Sequence, residues 1–180
     1  MKYLILLLLS INLQAQDCGE ERWTIKTLSD PDTTLINFDT ITQTTIEEQI
    51  SLPKPLKVKG ARTMTETTQY QLTAYITGYK LEADRDIHIV ISDEDNNEMV
   101  IEIVDPECES VKETSRYQQL TDLRIWFFDN IGRPVPRFKT LAQPIEVIVT
   151  GIGYYDFIHG QRGMDKNGRE IHPVLKMELK

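Results

Sequence analysis

The residues of this sequence best suited to chemistry are its three histidines, His88, His159 and His172. Together with a carboxylate from Glu102 or Asp86, they have the donor atoms of a zinc site. The spacing argues against such a site, because no pair forms a short ligand motif and each histidine lies in a different predicted segment. A histidine at a strand end also commonly binds a backbone carbonyl. The sequence therefore predicts no cofactor, and zinc held by the three histidines is the alternative.

Charged residues also gather in predicted loops. Glu82, Asp84 and Asp86 offer oxygen ligands for calcium, but they lack the spacing of a calcium loop, and turn formation explains them equally well. A glycine-rich loop from Gly160 to Gly168 carries basic residues, among them Arg162, and aromatic residues precede it. Cations beside aromatic rings are typical of surfaces that stack a single nucleic-acid strand or an oligosaccharide.

The first 15 residues have the pattern of a signal peptide. A short positive start is followed by a leucine run that is too brief to span a bilayer, with small or polar residues up to Ala15. We therefore expect a secreted or periplasmic protein with no transmembrane segment after the leader. Cys18 raises the alternative of a lipoprotein, but Asp17 is a poor fit to the small residue that a lipidation site needs.

The two cysteines, Cys18 and Cys108, are expected to form a disulfide, because an even number of cysteines in an exported chain favours one. Such a bond closes a loop of about 90 residues, for which the chain-entropy estimate is roughly 4 to 5 kcal/mol as an upper figure. A catalytic thiol is disfavoured, since neither cysteine lies in a motif that would activate it.

The stretch from Glu82 to Asp105 predicts a β-hairpin, with two runs of branched aliphatic residues around an acidic turn. In each strand, alternate residues form an apolar face, and these two faces must share one side of the sheet. The most symmetric register then places His88 directly opposite Glu102, with Cβ atoms roughly 5 Å apart. This polar face is either an ordinary solvated surface or part of a ligand site.

Three further strands and one helix complete the predicted fold. The glycines at positions 78, 151 and 153 would allow bulges or strong curvature. Strand, strand, strand, helix, strand, strand is the order of an OB-fold, a five-stranded, partly open barrel, and an antiparallel β-sandwich is the alternative. In the expected barrel, other strands separate His172 from His88. The predicted elements are a short strand at Arg22–Leu28, strands at Tyr70–Leu81, Ile145–Asp156 and Ile171–Leu179, and a helix at Glu109–Phe128.

The predicted domain organisation is a signal peptide at 1–15, an N-terminal extension at 16–69 that packs on the barrel, and the barrel domain at 70–180. Threonine-rich sequence and the Pro53-Lys54-Pro55 connector make most of the extension irregular.

Several short motifs spread over this chain resemble a family of exported bacterial proteins with an OB-like fold. Some members of that family carry the label of nucleic-acid-binding lipoprotein. The resemblance implies the barrel fold and export, and it implies no reaction. Family members tend to carry a neutral residue where Arg162 stands. The residues that carry the resemblance are Cys18-Gly19, Glu21-Arg22-Trp23, Lys26-Thr27, Asp86-Ile87-His88, Glu102, Asp105-Pro106, Cys108, the stretch from Gly151 to His159-Gly160-Gln161, and Ile171-His172-Pro173.

The sequence favours an exported, non-catalytic binding module, with a metal-dependent hydrolase as the alternative and a structural envelope protein as a third hypothesis. The ligand would be a small molecule, a glycan or a protein. Nucleic acid is disfavoured, because the formal net charge is −8 and an acidic protein repels polyanions. The predicted binding residues are Asp86, His88, Glu102, His159, Gln161, Arg162 and His172.

Overall fold

The computed structural model describes residues 18–19, 21–56, 60–158 and 160–180. The predicted signal peptide therefore lies outside the described residues. The protein is mainly β, with one six-stranded mixed sheet. The strands are β1 (Thr42–Gln43), β2 (Gln69–Leu81), β3 (Ile87–Ser92), β4 (Glu98–Ile103), β5 (Lys139–Tyr155) and β6 (Arg169–Leu179). The helices are α1 (Trp23–Lys26), α2 (Ile46–Ser51), α3 (Glu109–Lys112) and α4 (Tyr117–Asn130), with short 3-10 helices at Pro31–Leu35 and Met64–Glu66.

The sheet closes into a ring of pairings. Its order is β2-β3-β4-β6-β5, and β5 also pairs with β2. β4 and β6 pair in parallel over a short stretch, while the other pairs of the ring are antiparallel. β1 adds to β2 in parallel outside the ring. The expectation of a mainly β fold is confirmed at this level.

The predicted hairpin is β3 and β4, and its register is confirmed. His88 pairs with Glu102, and Ile87, Ile89 and Ile91 pair with residues of the apolar face of β4. Because the aliphatic residues of both strands point to one side, that side is completely buried. It packs against one face of α4, where Leu123 and Phe127 belong to the same core.

Glycines mark the irregular points of the long strands, as predicted. The register of β2 shifts between Ile76 and Gly78 against both of its antiparallel neighbours. The register of β5 against β6 shifts around Gly151 and Gly153. A Cβ atom on Gly151 would clash with Cγ2 of Ile171, so the two strands approach too closely there for a side chain.

Residues 18–19 and 21–28, which we call the N-terminal segment, do not form a strand. The prediction of a strand at Arg22–Leu28 is therefore wrong. Residues 23–26 form the helix α1, because the backbone amides of Ile25 and Lys26 both find the carbonyl of Arg22. These local bonds satisfy the backbone without a sheet edge. Cys18 and Cys108 form the expected disulfide, with Cα atoms 5.7 Å apart, and tie this segment to the start of α3.

The single helix predicted for Glu109–Phe128 is two helices, α3 and α4. Thr114 lies between them, and its hydroxyl donates to the carbonyl of Val111 at 2.9 Å. Side-chain bonds of this kind compete with helical ones, and the sequence Thr-Ser at this point favours a turn. In the part of the chain that the structure describes, none of the helices has the length and apolar character that a membrane crossing requires.

Candidate functional site

The polar face of the β3–β4 hairpin is buried, so the hypothesis of a solvated surface is wrong. His88 is 1% exposed and Glu102 is 6% exposed. Lys26 of α1 is buried as well, and its ammonium lies 4.0 Å from Asp84 in the connection between β2 and β3. The N-terminal segment therefore covers the face on which the sequence placed a ligand.

The short parallel pairing of β4 with β6 brings His172 to the same place. Ile101 pairs with Ile171, and therefore the next residues along the two strands, Glu102 and His172, are neighbours. Only β4 separates β3 from β6, whereas in the predicted barrel other strands separate His172 from His88. That expectation is wrong, because the ring closes through β4 and β6.

Four side chains form a continuous row that we call the histidine–carboxylate row: Asp86, His172, Glu102 and His88. His172 lies between two carboxylates, with Nε2 3.2 Å from Oδ2 of Asp86 and Nδ1 3.1 Å from Oε2 of Glu102. These are ion-pair distances without good hydrogen-bond alignment. The other oxygen of Glu102 lies 3.0 Å from His88 Nδ1, and His88 Nε2 donates to the carbonyl of Arg162 at 2.9 Å.

The contacts of His172 and His88 determine the protonation state of each imidazole ring. Both nitrogens of His172 face carboxylates, and both nitrogens of His88 face acceptors, so each ring is stabilised as an imidazolium. Burial would lower the pKa of His172, but its contacts with Asp86 and Glu102 outweigh burial and hold the pKa well above its ordinary value. Burial also opposes the charge of His88, whose pKa is nevertheless raised by Glu102. Burial would raise the pKa of Glu102, but the two histidines hold it well below its usual range.

Two further carboxyl groups in this region are less well compensated. Burial raises the pKa of Asp86 to about 6 despite the contact with His172. Glu170 is 1% exposed, and neither of its oxygens has a hydrogen-bond partner among the described residues. Its Oε2 lies 3.8 Å from His172 Nδ1, which is too far for a hydrogen bond. Burial and the nearby charge of Glu102 raise the pKa of Glu170 to about 7.

A cavity of about 330 Å³ lies between the N-terminal segment and the histidine–carboxylate row. Trp23 forms an aromatic part of its wall, and the indole N–H is held by Ser110 at 2.6 Å. Glu102 connects the cavity to the row, since it belongs to both. The residues that line the cavity are Gly19, Glu21, Trp23, Lys26, Glu82, Ala83, Asp84, Glu102, Asp156 and Gln161.

The cavity is acidic. Among its described lining residues, Lys26 is the one cationic side chain, and the carboxylates outnumber it. Burial would lower the pKa of Lys26, but the surrounding acidic groups, Glu102 first among them, raise it well above its ordinary value. The lysine is thus held as a cation, and acidic groups still outnumber it in the lining, although Glu102 also contacts the two histidines and Glu82 contacts Lys80. The lining carboxylates are Glu21, Glu82, Asp84, Glu102 and Asp156.

The structure places the remaining predicted site residues as follows. Gln161 lines the cavity and donates to Oδ2 of Asp156 at 3.0 Å. Arg162 contributes its backbone carbonyl to His88, while its guanidinium lies over the ring of Phe138, 4.6 Å from the centroid. His159 lies outside the described residues. Within the described ranges, no group of potential metal ligands contains both His88 and His172.

Several residues of the site are absent from the sequence prediction. Glu170 could have been found, because it lies two positions before His172 in a strand and therefore shares its face. Lys26 and Trp23 belong to the segment that was predicted to be a strand, and no local pattern indicated that it covers the hairpin. Asp156 follows β5 and reaches the cavity only because the sheet closes into a ring.

Comparison of the sequence with protein-family models gave no match, and a search of curated proteins gave none either.

Proposed function

We propose that this protein is a non-catalytic binding module that takes up a small cationic ligand in the cavity beneath its N-terminal segment. The observation that carries the proposal is the excess of carboxylates over the one lysine in the lining of a partly open cavity that also contains an indole ring. A cation would compensate that charge, and an aromatic ring also favours cations near its face. The ligand is an organic ammonium group or a metal ion, since both have this chemistry.

An OB-type barrel is the fold that we propose for this module. The ring of five strands and the position of α3 and α4 between β4 and β5 support it, as does the family resemblance of the sequence. The same resemblance, the leader sequence and the disulfide support export to the periplasm or the medium. The disulfide also fixes the N-terminal wall of the cavity to α3.

Nucleic acid is not the ligand that we propose, despite the label in the related family. The charge of Arg162 is directed at Phe138, and the cavity itself is acidic. A phosphate backbone would be repelled there.

Calorimetric titration with ligands of similar size and different charge tests the proposal. We expect 1,4-diaminobutane or tetramethylammonium to bind and succinate or glycerol not to bind. Replacement of Asp84 by asparagine should weaken binding roughly tenfold, which corresponds to about 1.4 kcal/mol. Glu94→Gln, at the exposed tip of the hairpin, is the matched control. Binding of succinate in preference to the cations, or equal binding by Asp84→Asn, would contradict the proposal.

A further inference from the structure

We propose that Glu82, His88 and Glu102 bind a divalent transition-metal ion beside the cavity, which Glu82 and Glu102 line. This inference rests on the proposed function, because it names the cation that the acidic cavity takes up. The three residues place one carboxylate oxygen, one imidazole nitrogen and a second carboxylate oxygen within 4.8 Å of one another. They come from the end of β2 and from the paired strands β3 and β4.

His88 is oriented as a metal ligand. Its Nε2 donates to the carbonyl of Arg162 at 2.9 Å, and this bond fixes which nitrogen points into the site. Metal-binding histidines usually donate the second ring N–H to a carbonyl or carboxylate in this way. Nδ1 then faces Oε1 of Glu102 at 3.0 Å and Oε1 of Glu82 at 3.5 Å. An ion bound at Nδ1 would replace the proton that now lies between these groups.

The distances suit ligation. Ligand atoms that lie about 2.1 Å from a tetrahedral ion are separated by roughly 3.4 Å. The two distances from Nδ1, 3.0 and 3.5 Å, lie on either side of that value. Pairing of His88 with Glu102 across the hairpin fixes two of the ligands on rigid strands.

An independent observation is the buried carboxyl group of Glu170. It has no hydrogen-bond partner among the described residues, and its Oε2 is directed toward His172 Nδ1, the atom that also contacts Glu102. A buried carboxylate is costly unless a positive charge compensates it. A divalent ion on the other oxygen of Glu102 would add positive charge to this region. An ion at Glu102 would therefore also favour the ionised form of Glu170, which lies outside the proposed ligand set.

Entry of an ion from the cavity, and comparison with the other group of candidate ligands, also favour Glu82, His88 and Glu102. The Glu82 side chain is 27% exposed and lines the cavity, so an ion can enter from there. The same Oε1 of Glu82 lies 2.8 Å from Lys80 Nζ, so an ion would have to displace this partly exposed ion pair, and ion pairs of this kind are weak. The other group of candidate ligands, Asp86, Glu102 and His172, is fully buried, and the two carboxylates contact opposite nitrogens of the ring.

The donor set determines which ion fits. One imidazole and two carboxylates suit Zn²⁺ or Mn²⁺, whereas Ca²⁺ prefers oxygen ligands alone. Thiolate is not available, because both cysteines form the disulfide. The cavity leaves space for water or a ligand group at a further coordination position.

The test uses the purified, disulfide-bonded protein without an affinity tag. Calorimetry with Zn²⁺ alone should give one equivalent, and Ca²⁺ should not compete at equal concentration. Glu82→Gln should weaken Zn²⁺ binding at least tenfold, and His88→Gln should weaken it further, while Glu94→Gln should bind as the wild type does. Co²⁺ in place of Zn²⁺ should give visible absorption bands that Glu82→Gln weakens. If His88→Gln does not fold, Glu82→Gln decides the result, because Glu82 is partly exposed.

The outcomes separate this inference from the proposed function. Equal Zn²⁺ binding by wild type and Glu82→Gln would overturn the inference, since the ion would then be bound elsewhere. If Zn²⁺ does not bind but 1,4-diaminobutane binds and Asp84→Asn weakens it, the metal site is wrong and the proposed function stands. If neither cation binds, both are wrong.

Discussion

The ion pair between Arg22 and Glu66 should be a main source of stability for the N-terminal wall of the cavity. The two side chains are 5% and 0% exposed, and they form two hydrogen bonds, at 2.6 and 3.0 Å. The Glu66 carboxylate also accepts from the backbone amides of Thr63 at 2.8 Å and Tyr155 at 3.1 Å. Arg22 in turn donates to the carbonyl of Tyr155. One carboxylate therefore joins the segment before α1 to the end of β5.

Replacement of Glu66 by glutamine keeps the shape and removes the charge. Arg22 would then be a buried cation without its partner, and the amide nitrogen would face the donors that the carboxylate accepts from. Removing one member of a buried ion pair costs about 3 to 5 kcal/mol. For a domain of this size, that lowers Tm by roughly 6 to 20 °C, at about 2 to 4 °C per kcal/mol.

The pH dependence gives a second readout of the same pair. Burial would raise the pKa of Glu66, but the bonds from Arg22 and from backbone amides outweigh it and lower the pKa. The stability contributed by a depressed carboxyl pKa is present above the unfolded value of about 4.3, and it is lost as the pH falls through the folded value. The difference between wild type and Glu66→Gln should therefore be complete at pH 7 and shrink below about pH 4.

Urea unfolding followed by circular dichroism measures both effects. Glu94→Gln serves as the control, since an exposed substitution at the hairpin tip should stay within about 0.5 kcal/mol of the wild type. A loss of less than about 1 kcal/mol for Glu66→Gln at pH 7 would refute the reasoning, as would a difference that grows on acidification.

Two further predictions concern the disulfide and the core. Serine at both Cys18 and Cys108 should lower the free energy of unfolding by up to roughly 4 to 5 kcal/mol, because the bond closes a loop with a sequence separation of 90. An unchanged urea midpoint would contradict this. Phe127→Ala should cost about 3 to 5 kcal/mol, since the ring is fully buried in the core, whereas Ile125→Ala on the same helix, 52% exposed, should cost far less. Equal thermal shifts for the two would contradict it.

The hairpin could be predicted from the sequence because the residues that form it are close together in the chain. Strict alternation over two runs joined by a short turn leaves one register in which both apolar faces share a side, and the pairing of His88 with Glu102 follows from it. The disulfide could be predicted from the count of cysteines and the leader. The helix α1 could not, because a four-residue segment with Trp and Ile satisfies strand propensities equally well.

The sequence alone thus determined the mainly β fold, the hairpin register, the glycine bulges and the polar face that carries His88. Only the tertiary structure determined that this face is buried and that its residues are charged. Parallel pairing of β4 with β6 joins residues about 70 positions apart, and no local periodicity specifies such a contact. That pairing brings His172 and Glu170 to Glu102, and the covering of the same face by α1 removes water from it. Burial then turns a row of polar residues into a charged cluster, because charges that water would screen must be compensated by one another or by a bound cation.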